Sequence, residues 1–270
     1  MKTYMMFIDA QRDFCEPGAP LYVPGAEEDM NRASNFLSSN KERIYLTGFT
    51  LDSHHLMQIF FPDFWWDPSS KESPKPYDVI SHEDVKKGVW VPRFPNLLPH
   101  ALRYTKTLED HGRYQLTIWP LHCLIGSTGA SLTEDVMNAM LDWEKSNKAI
   151  AHKITKGSNW GTEHYSALQA DCEDPEDPST SMNTDFIFQL QNCDRIIVVG
   201  EASSHCVKFT VTDLIEAFAT SSPEHIQKLV LFEDCMSPVG LPIYKQEAQD
   251  FFHTISSQGV TVTTSEAFKF

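Results

Sequence analysis

Val198-Val199-Gly200-Glu201-Ala202-Ser203-Ser204-His205-Cys206-Val207-Lys208-Phe209-Thr210 is the stretch from which the rest of the chain reads outward. The apolar run Ile196 to Val199 predicts a strand. It enters a Gly-centred turn, and Cys206 then opens a segment, Val207 to Phe218, with helical patterning. A thiol at the head of a helix meets unpaired backbone N–H groups and the positive end of the helix dipole, which favour the thiolate, the nucleophilic form of cysteine. A core cysteine buried after a strand would leave the same local pattern. The other strands therefore have to decide between the two.

Thr3 to Ile8 is a continuous apolar and β-branched run that ends in Asp9, as expected of a strand buried on both faces. Arg43 to Thr50 predicts a second strand, ending in Leu51-Asp52-Ser53-His54-His55. Asp52 and His54 are two apart, so at a strand end their side chains point the same way. A carboxylate and an imidazole so placed are two ligands of a Zn²⁺ or Fe²⁺ site, and equally a hydrogen-bonded strand-end pair. Ala149 to Thr155 predicts a third strand with Lys156-Gly157 at its end. Arg195 to Val199, Lys228 to Phe232 and Val260 to Thr263 complete the set. Helical patterns fall between them, at Ala26 to Leu37, Leu132 to Lys145, Thr184 to Gln191 and Pro242 to Ser256. Strands alternating with helices predict a three-layer Rossmann-like α/β fold, a mostly parallel sheet of about six strands with helices on both faces. Ligands of such sheets bind at the carboxyl ends of the strands.

Composition narrows the class of function. The chain has 270 residues, 41% hydrophobic and 22% charged, with a net charge of −15. That charge argues against nucleic acid or an anionic membrane as partner. The six cysteines form no C-x-x-C pair, which fits a reducing compartment. No apolar window approaches the roughly 20 residues of a membrane span, and a cytoplasmic location is expected. A single domain over residues 1–270 is expected, with insertions at about 57–118 and 161–183. The first holds an aromatic knot, Phe60, Phe61, Phe64, Trp65 and Trp66, read as packing or subunit interface. Within the second, Asp171 to Asn183 reads on composition as a mobile loop.

Five motifs together resemble the isochorismatase-like cysteine hydrolase superfamily, and within it the nicotinamidases. Ile8-Asp9-Ala10-Gln11-Arg12-Asp13-Phe14-Cys15 is similar to the family's opening strand. Asp52-Ser53-His54 and Trp119-Pro120-Leu121-His122-Cys123-Leu124-Ile125-Gly126 resemble its two metal motifs. Thr155-Lys156-Gly157 matches its strand-end lysine, and Gly200 to Thr210 its nucleophile turn. The resemblance implies a catalytic triad of Asp9, Lys156 and Cys206, with Lys156 lowering the thiol pKa. It further implies an oxyanion hole from the N–H groups of Ala202 and Cys206 and a cis peptide before Ala202. Asp52, His54 and His122 would hold a divalent metal ion, Zn²⁺ first and Fe²⁺ or Mn²⁺ as alternatives, with Phe14 and Trp119 against a planar substrate. The implied activity is hydrolysis of nicotinamide to nicotinate and ammonia through a cysteine thioester, in NAD salvage. The alternatives are another small amide or ureido substrate, or a silent binding protein of this fold. A small-molecule amide is the expected partner, and a homo-oligomer the expected assembly.

Two places depart from the family pattern. Where a further histidine usually follows D-x-H, this chain has Gln58, Ile59, Phe60 and Phe61, leaving His55 and His82 as candidates for a fourth ligand. Glu201 stands where an apolar residue is usual, and solvation or a pair with Lys208 is expected of it, a place in the pocket being the other reading. His205, beside Cys206, is read as structural, since adjacent residues at a helix start point in different directions.

Overall fold

The apolar runs of the sequence line up as one six-stranded sheet. Its strands are β1 (Thr3–Ile8), β2 (Ile44–Asp52), β3 (His152–Lys156), β4 (Arg195–Gly200), β5 (Leu229–Phe232) and β6 (Thr261–Thr263), in the order β6-β5-β4-β1-β2-β3. All neighbouring pairs are parallel. The structure, a computed structural model, describes residues 1–111 and 114–270. Every residue of β1 is buried, as the unbroken apolar run requires of a central strand covered on both faces.

Six helices of the described residues bear on the argument: α1 (Ala26–Asn40), α2 (Leu98–His111), α3 (Glu134–Asn147), α4 (Thr184–Gln191), α5 (Cys206–Ser221) and α6 (Pro242–Ser257). On α1, Ala26, Met30, Ala33 and Leu37 recur at helical spacing and are buried, while Glu27 and Glu28 face out. α1 and α3 pack against one another, and the right-handed rule for parallel crossovers assigns them to one face of the sheet and α4, α5 and α6 to the other. The chain leaves β1 toward β2 but leaves β4 toward β5, so the topological switch lies between β1 and β4. A crevice opens there beyond the strand ends.

The turn after β4 depends on Gly200, whose φ is +118°. A Cβ at that position would lie 2.0 Å from the Ile8 carbonyl oxygen. Neither the backbone angle nor the neighbouring strand admits a side chain. Gly200→Ala is expected to cost about 3 kcal/mol or more of stability, through positive-φ strain plus displacement of β1. Urea unfolding would measure it, and a loss below about 1 kcal/mol would contradict the packing described.

The two regions read from the sequence as insertions are bound into the fold. In the 57–118 segment, Phe60, Phe61, Phe64 and Trp65 are buried and join the main hydrophobic core. Trp65 Nε1–H donates to the Ile59 carbonyl at 2.6 Å. Trp65–Trp66 pairs with Val91–Pro92 and Val79–Ile80 with Leu116–Thr117, and α2 lies between these pairings in the chain. The part of the insertion reading that falls on residues 112–113 lies outside the described residues. The Asp171 to Asn183 stretch, read as a mobile loop, is laced down instead. Asn159 Nδ2 donates to Asp174 at 3.0 Å and Asp177 at 2.9 Å, and the buried Thr180 hydroxyl donates to the Asp177 carbonyl at 2.7 Å. Composition reports polarity, but side-chain bonds to the fold hold this stretch. No helix of the described residues is long and apolar enough to cross a membrane.

Candidate active site

Four adjacent strands deliver their C-terminal residues to the same crevice. β1 ends at Asp9, β2 at Asp52, β3 at Lys156, and β4 runs into the turn that leads to Cys206. Parallel register makes them neighbours: Ile8 pairs with Gly200 and Asp52 with Lys156.

Lys156 is the hub. Its ammonium lies 2.9 Å from Asp9 Oδ2, 2.5 Å from Asp52 Oδ1 and 3.6 Å from Cys206 Sγ, and donates to the His164 carbonyl at 2.9 Å. Burial works against its charge, but Asp52 and Asp9 outweigh burial and hold Lys156 protonated, above the ordinary lysine range. Asp52 feels burial too, and Lys156 and His54 overcome it, keeping this carboxyl below its usual range. Asp9 goes the other way. Burial pushes it up against the pull of Lys156, and the Asp52 charge adds to the push. The Thr50 hydroxyl accepts from the Asp9 N–H at 2.9 Å and donates to Asp9 Oδ1 at 2.5 Å, which fixes the carboxyl group in place.

The Cys206 thiol corrects one expectation. Burial pushes it well above the ordinary thiol range; Lys156 opposes this, while Asp9 and Asp52 reinforce it. Burial and the two acids therefore favour the neutral thiol at rest, 3.6 Å from the Lys156 ammonium. Helix position and a nearby lysine pointed to a lowered pKa, but two buried carboxylates and the loss of water outweigh them.

Asp52, His54 and His122 bring three ligand atoms within 4.8 Å of one another, all buried. His54 Nδ1–H donates to the Gly157 carbonyl at 2.9 Å, and His122 Nδ1–H to the Pro120 carbonyl at 2.8 Å. Each backbone acceptor holds a proton on Nδ1, so Nε2 is the nitrogen left for a ligand. His54 Nε2 is buried without a hydrogen bond, 3.4 Å from Asp52 Oδ2. Burial, then the neighbouring His54, lower His122 to about 3, so its imidazole is neutral and able to ligate. This donor set fits a divalent ion of the zinc type. The candidate fourth ligands do not join it. His55 is exposed, and His82 turns its Nδ1 toward the Thr105 hydroxyl at 3.3 Å. Gln58 braces the loop, donating to the Gly157 and Asn159 carbonyls at 2.6 and 2.8 Å. Phe60 and Phe61 pack edge-on against the His54 ring.

A small cavity opens beside these groups, with Phe14, Trp119, Ala202, Cys206, His122 and Asp52 among its lining. The Ala202 and Cys206 N–H groups donate to no oxygen among the described residues. The Glu201–Ala202 peptide is cis. Three further lining residues, Glu163, Tyr165 and His205, were missed in the sequence. Burial pushes the Glu163 carboxyl up to about 8, with His54 opposing. It follows Lys156 by seven residues, in a stretch without periodicity, so no sequence signal marks it. Tyr165 OH accepts from Trp119 Nε1–H at 2.8 Å. His205, expected to be structural, lines the cavity among Trp119, Tyr165 and Tyr244. Its Nδ1 lies 2.8 Å from the Ser204 hydroxyl. Glu201 is not solvated, not paired with Lys208 and not in the pocket. It is buried against α1, and Lys208 pairs with Glu247 instead.

No protein-family model matches the chain. The nicotinamidase of Saccharomyces cerevisiae is 24% identical over 216 residues, 80% of this chain and 82% of its own length. That of Escherichia coli is 30% identical over 148 residues, 55% of this chain and 58% of its own length. A structure of the yeast nicotinamidase bound to the inhibitor nicotinaldehyde superposes with a TM-score of 0.65 at 18% identity, over 97% of this chain and 99% of that one. A pyrazinamidase of Pyrococcus horikoshii in complex with zinc gives 0.56 at 18% identity, over 98% and 99%. Motif order and sheet topology agree with these relatives: the chain is similar to nicotinamidases over most of its length and shares their α/β fold.

Proposed function

We propose that the protein hydrolyses nicotinamide to nicotinate and ammonia, with Cys206 as nucleophile, Asp9 as proton carrier and Lys156 as the fixed charge between them. The observation that carries this reading is the meeting of Cys206, Asp9 and Lys156 with the Asp52, His54, His122 trio, beside a cavity that Cys206, Asp52 and His122 line.

In the first half-reaction Asp9 takes the thiol proton as sulfur attacks the amide carbon. The raised affinity of Asp9 for a proton suits this general-base role. The carbonyl oxygen gains negative charge and is met by the Ala202 and Cys206 N–H groups, donors commonly worth a few kcal/mol of barrier each. Asp9 then passes its proton to the amide nitrogen, the carbon–nitrogen bond breaks, and ammonia leaves a thioester on Cys206. In the second half Asp9 takes a proton from water, hydroxide adds to the thioester, and the sulfur leaves with that proton as nicotinate is released. Lys156 stays charged throughout, so Asp9 gains and loses a proton beside a constant counter-ion. Phe14 and Trp119 supply apolar walls suited to a flat heterocycle.

Asp52, His54 and His122 would hold Zn²⁺, which when bound supplies a Lewis-acidic anchor for a ring nitrogen of the substrate. The purified protein is expected to carry close to stoichiometric zinc by elemental analysis, and His122→Ala to lose most of it. Chelation should remove activity and zinc restore it. Full activity in metal-free protein would overturn this part of the reading. The direct test of function is ammonia release from nicotinamide, set beside pyrazinamide, benzamide and a ureido acid. Benzamide, lacking the ring nitrogen, should be the poorer substrate, and a preference for the ureido acid would replace the nicotinamide assignment.

A further inference from the structure

Two acids meet behind the turn that carries Ala202 and Cys206. Glu201 is 1% exposed and Asp29, in the first turn of α1, is 3% exposed. The two carboxyl groups act on one another, and Ser237 joins them, its N–H donating to Glu201 Oε2 at 3.1 Å and its side chain bearing on Asp29. Glu201 Oε1 and Asp29 Oδ2 are buried with no hydrogen-bond donor among the described residues. Ionised carboxylate oxygens only accept, so a bond between these two groups requires a proton on one of them. Burial raises Asp29 too, but the Ser237 side chain and Arg32 Nη2, 2.5 Å from Asp29 Oδ1, favour its charge. Glu201 Oε2 receives only the Ser237 backbone N–H, at 3.1 Å. Burial, then the Asp29 carboxylate, push Glu201 well above the usual carboxylate range.

We propose that Glu201 is a positioning residue: its carboxylic acid donates a hydrogen bond to the Asp29 carboxylate and ties the turn bearing the Ala202 and Cys206 N–H groups to α1. The tie is one strand of a wider lacing. Glu201 N–H donates to the Ile8 carbonyl at 2.8 Å, Ser203 N–H to the Ser237 carbonyl at 2.9 Å, and Val239 N–H to the Ser204 hydroxyl at 3.1 Å. Ala202 therefore sits between two anchored neighbours. The groups facing the acid pair are Asp29 and Arg32 from α1, the Cys15 thiol from the Arg12–Cys15 turn, and Asp234 and Cys235 after β5, Arg32 Nε reaching the Asp234 carbonyl at 2.5 Å. Arg32 is the cation among them, and it is already engaged by Asp29. A second negative charge on Glu201 would therefore be uncompensated.

The test separates the proton from the packing. Glu201→Gln keeps shape and donor, its amide N–H replacing the acid O–H, whereas Glu201→Leu removes the donor. A glutamate in an unfolded chain titrates near pH 4.3. A group held protonated in the fold contributes stability that is full below that value and lost as pH rises toward the folded pKa. Wild type should thus lose stability with rising pH while Glu201→Gln does not, and the Tm advantage of the Gln variant should widen between about pH 5 and pH 9. Parallel Tm curves would show an ionised Glu201 and overturn the proposal. In the kinetic arm, which rests on the function proposed above, Glu201→Leu should lower kcat on nicotinamide roughly tenfold or more with KM little changed, while Glu201→Gln stays near wild type. Equal kcat in all three would overturn the positioning role. The thermal arm needs no substrate. Wild type that releases no ammonia from nicotinamide would sink the functional reading while the Tm curves still decide the proton.

Discussion

Cys206→Ala is expected to reduce amide hydrolysis by on the order of 10⁴-fold or more, with the fold retained. The size of the effect follows from the lining of the cavity. Among its described lining residues, the one other hydroxyl or thiol group is Tyr165, whose oxygen is bonded by Trp119 and whose pKa burial pushes well above the ordinary range. No substitute nucleophile is at hand. Loss of one sulfur atom from a site fixed by Lys156, Asp9 and Asp52 should change stability by no more than about 1 kcal/mol. The measurement is ammonia release under conditions where circular dichroism and Tm match wild type. A variant within tenfold of wild-type rate would sink the thioester route.

Lys156→Met should be nearly as damaging to activity and far more damaging to stability. Lys156 lies between two acids, Asp9 and Asp52, that are 0% and 4% exposed. Its removal leaves two buried carboxylates without a counter-ion, a kind of change that costs about 3 to 5 kcal/mol. The pH dependence reverses as well. In wild type, the Asp52 carboxyl is held below its usual range, so its contribution is present above the unfolded-state pKa and lost as pH falls. In the variant, burial and mutual repulsion raise the acids instead, so they contribute stability at low pH that is lost as pH rises. Urea unfolding at about pH 5 and pH 8 should show the deficit to be smaller at the lower pH. An equal deficit at both would mean that the carboxylates find another counter-charge.

Much of the site was legible because its chemistry sits at strand ends. An apolar run that stops at an acid or a lysine marks both the strand and the place where the side chain leaves the sheet. Asp9, Asp52 and Lys156 stand at such strand ends and Cys206 at the head of a helix, the family resemblance supplied the roles expected of them, and parallel pairing brought them together. His122 was found through its motif and the neighbouring Pro120, since it belongs to no main strand. Glu163, Tyr165 and the role of His205 in the cavity wall were not found. The first two lie on an irregular path after β3, where no period reports direction. His205 depends on three rings from distant segments closing around it.

By itself, then, the sequence determined the alternating strands and helices, the sheet class and the chemical identity of the groups at the strand ends. These rest on periodicity, turn residues and side-chain type, which are local. The tertiary structure alone decided that Glu201 turns from the pocket into Asp29, that the 57–118 aromatics pack around the two histidines, and that Cys206 rests as a thiol. Each of these depends on which distant group is near and how much water is excluded. Desolvation and long-range contact arise only in the packed chain.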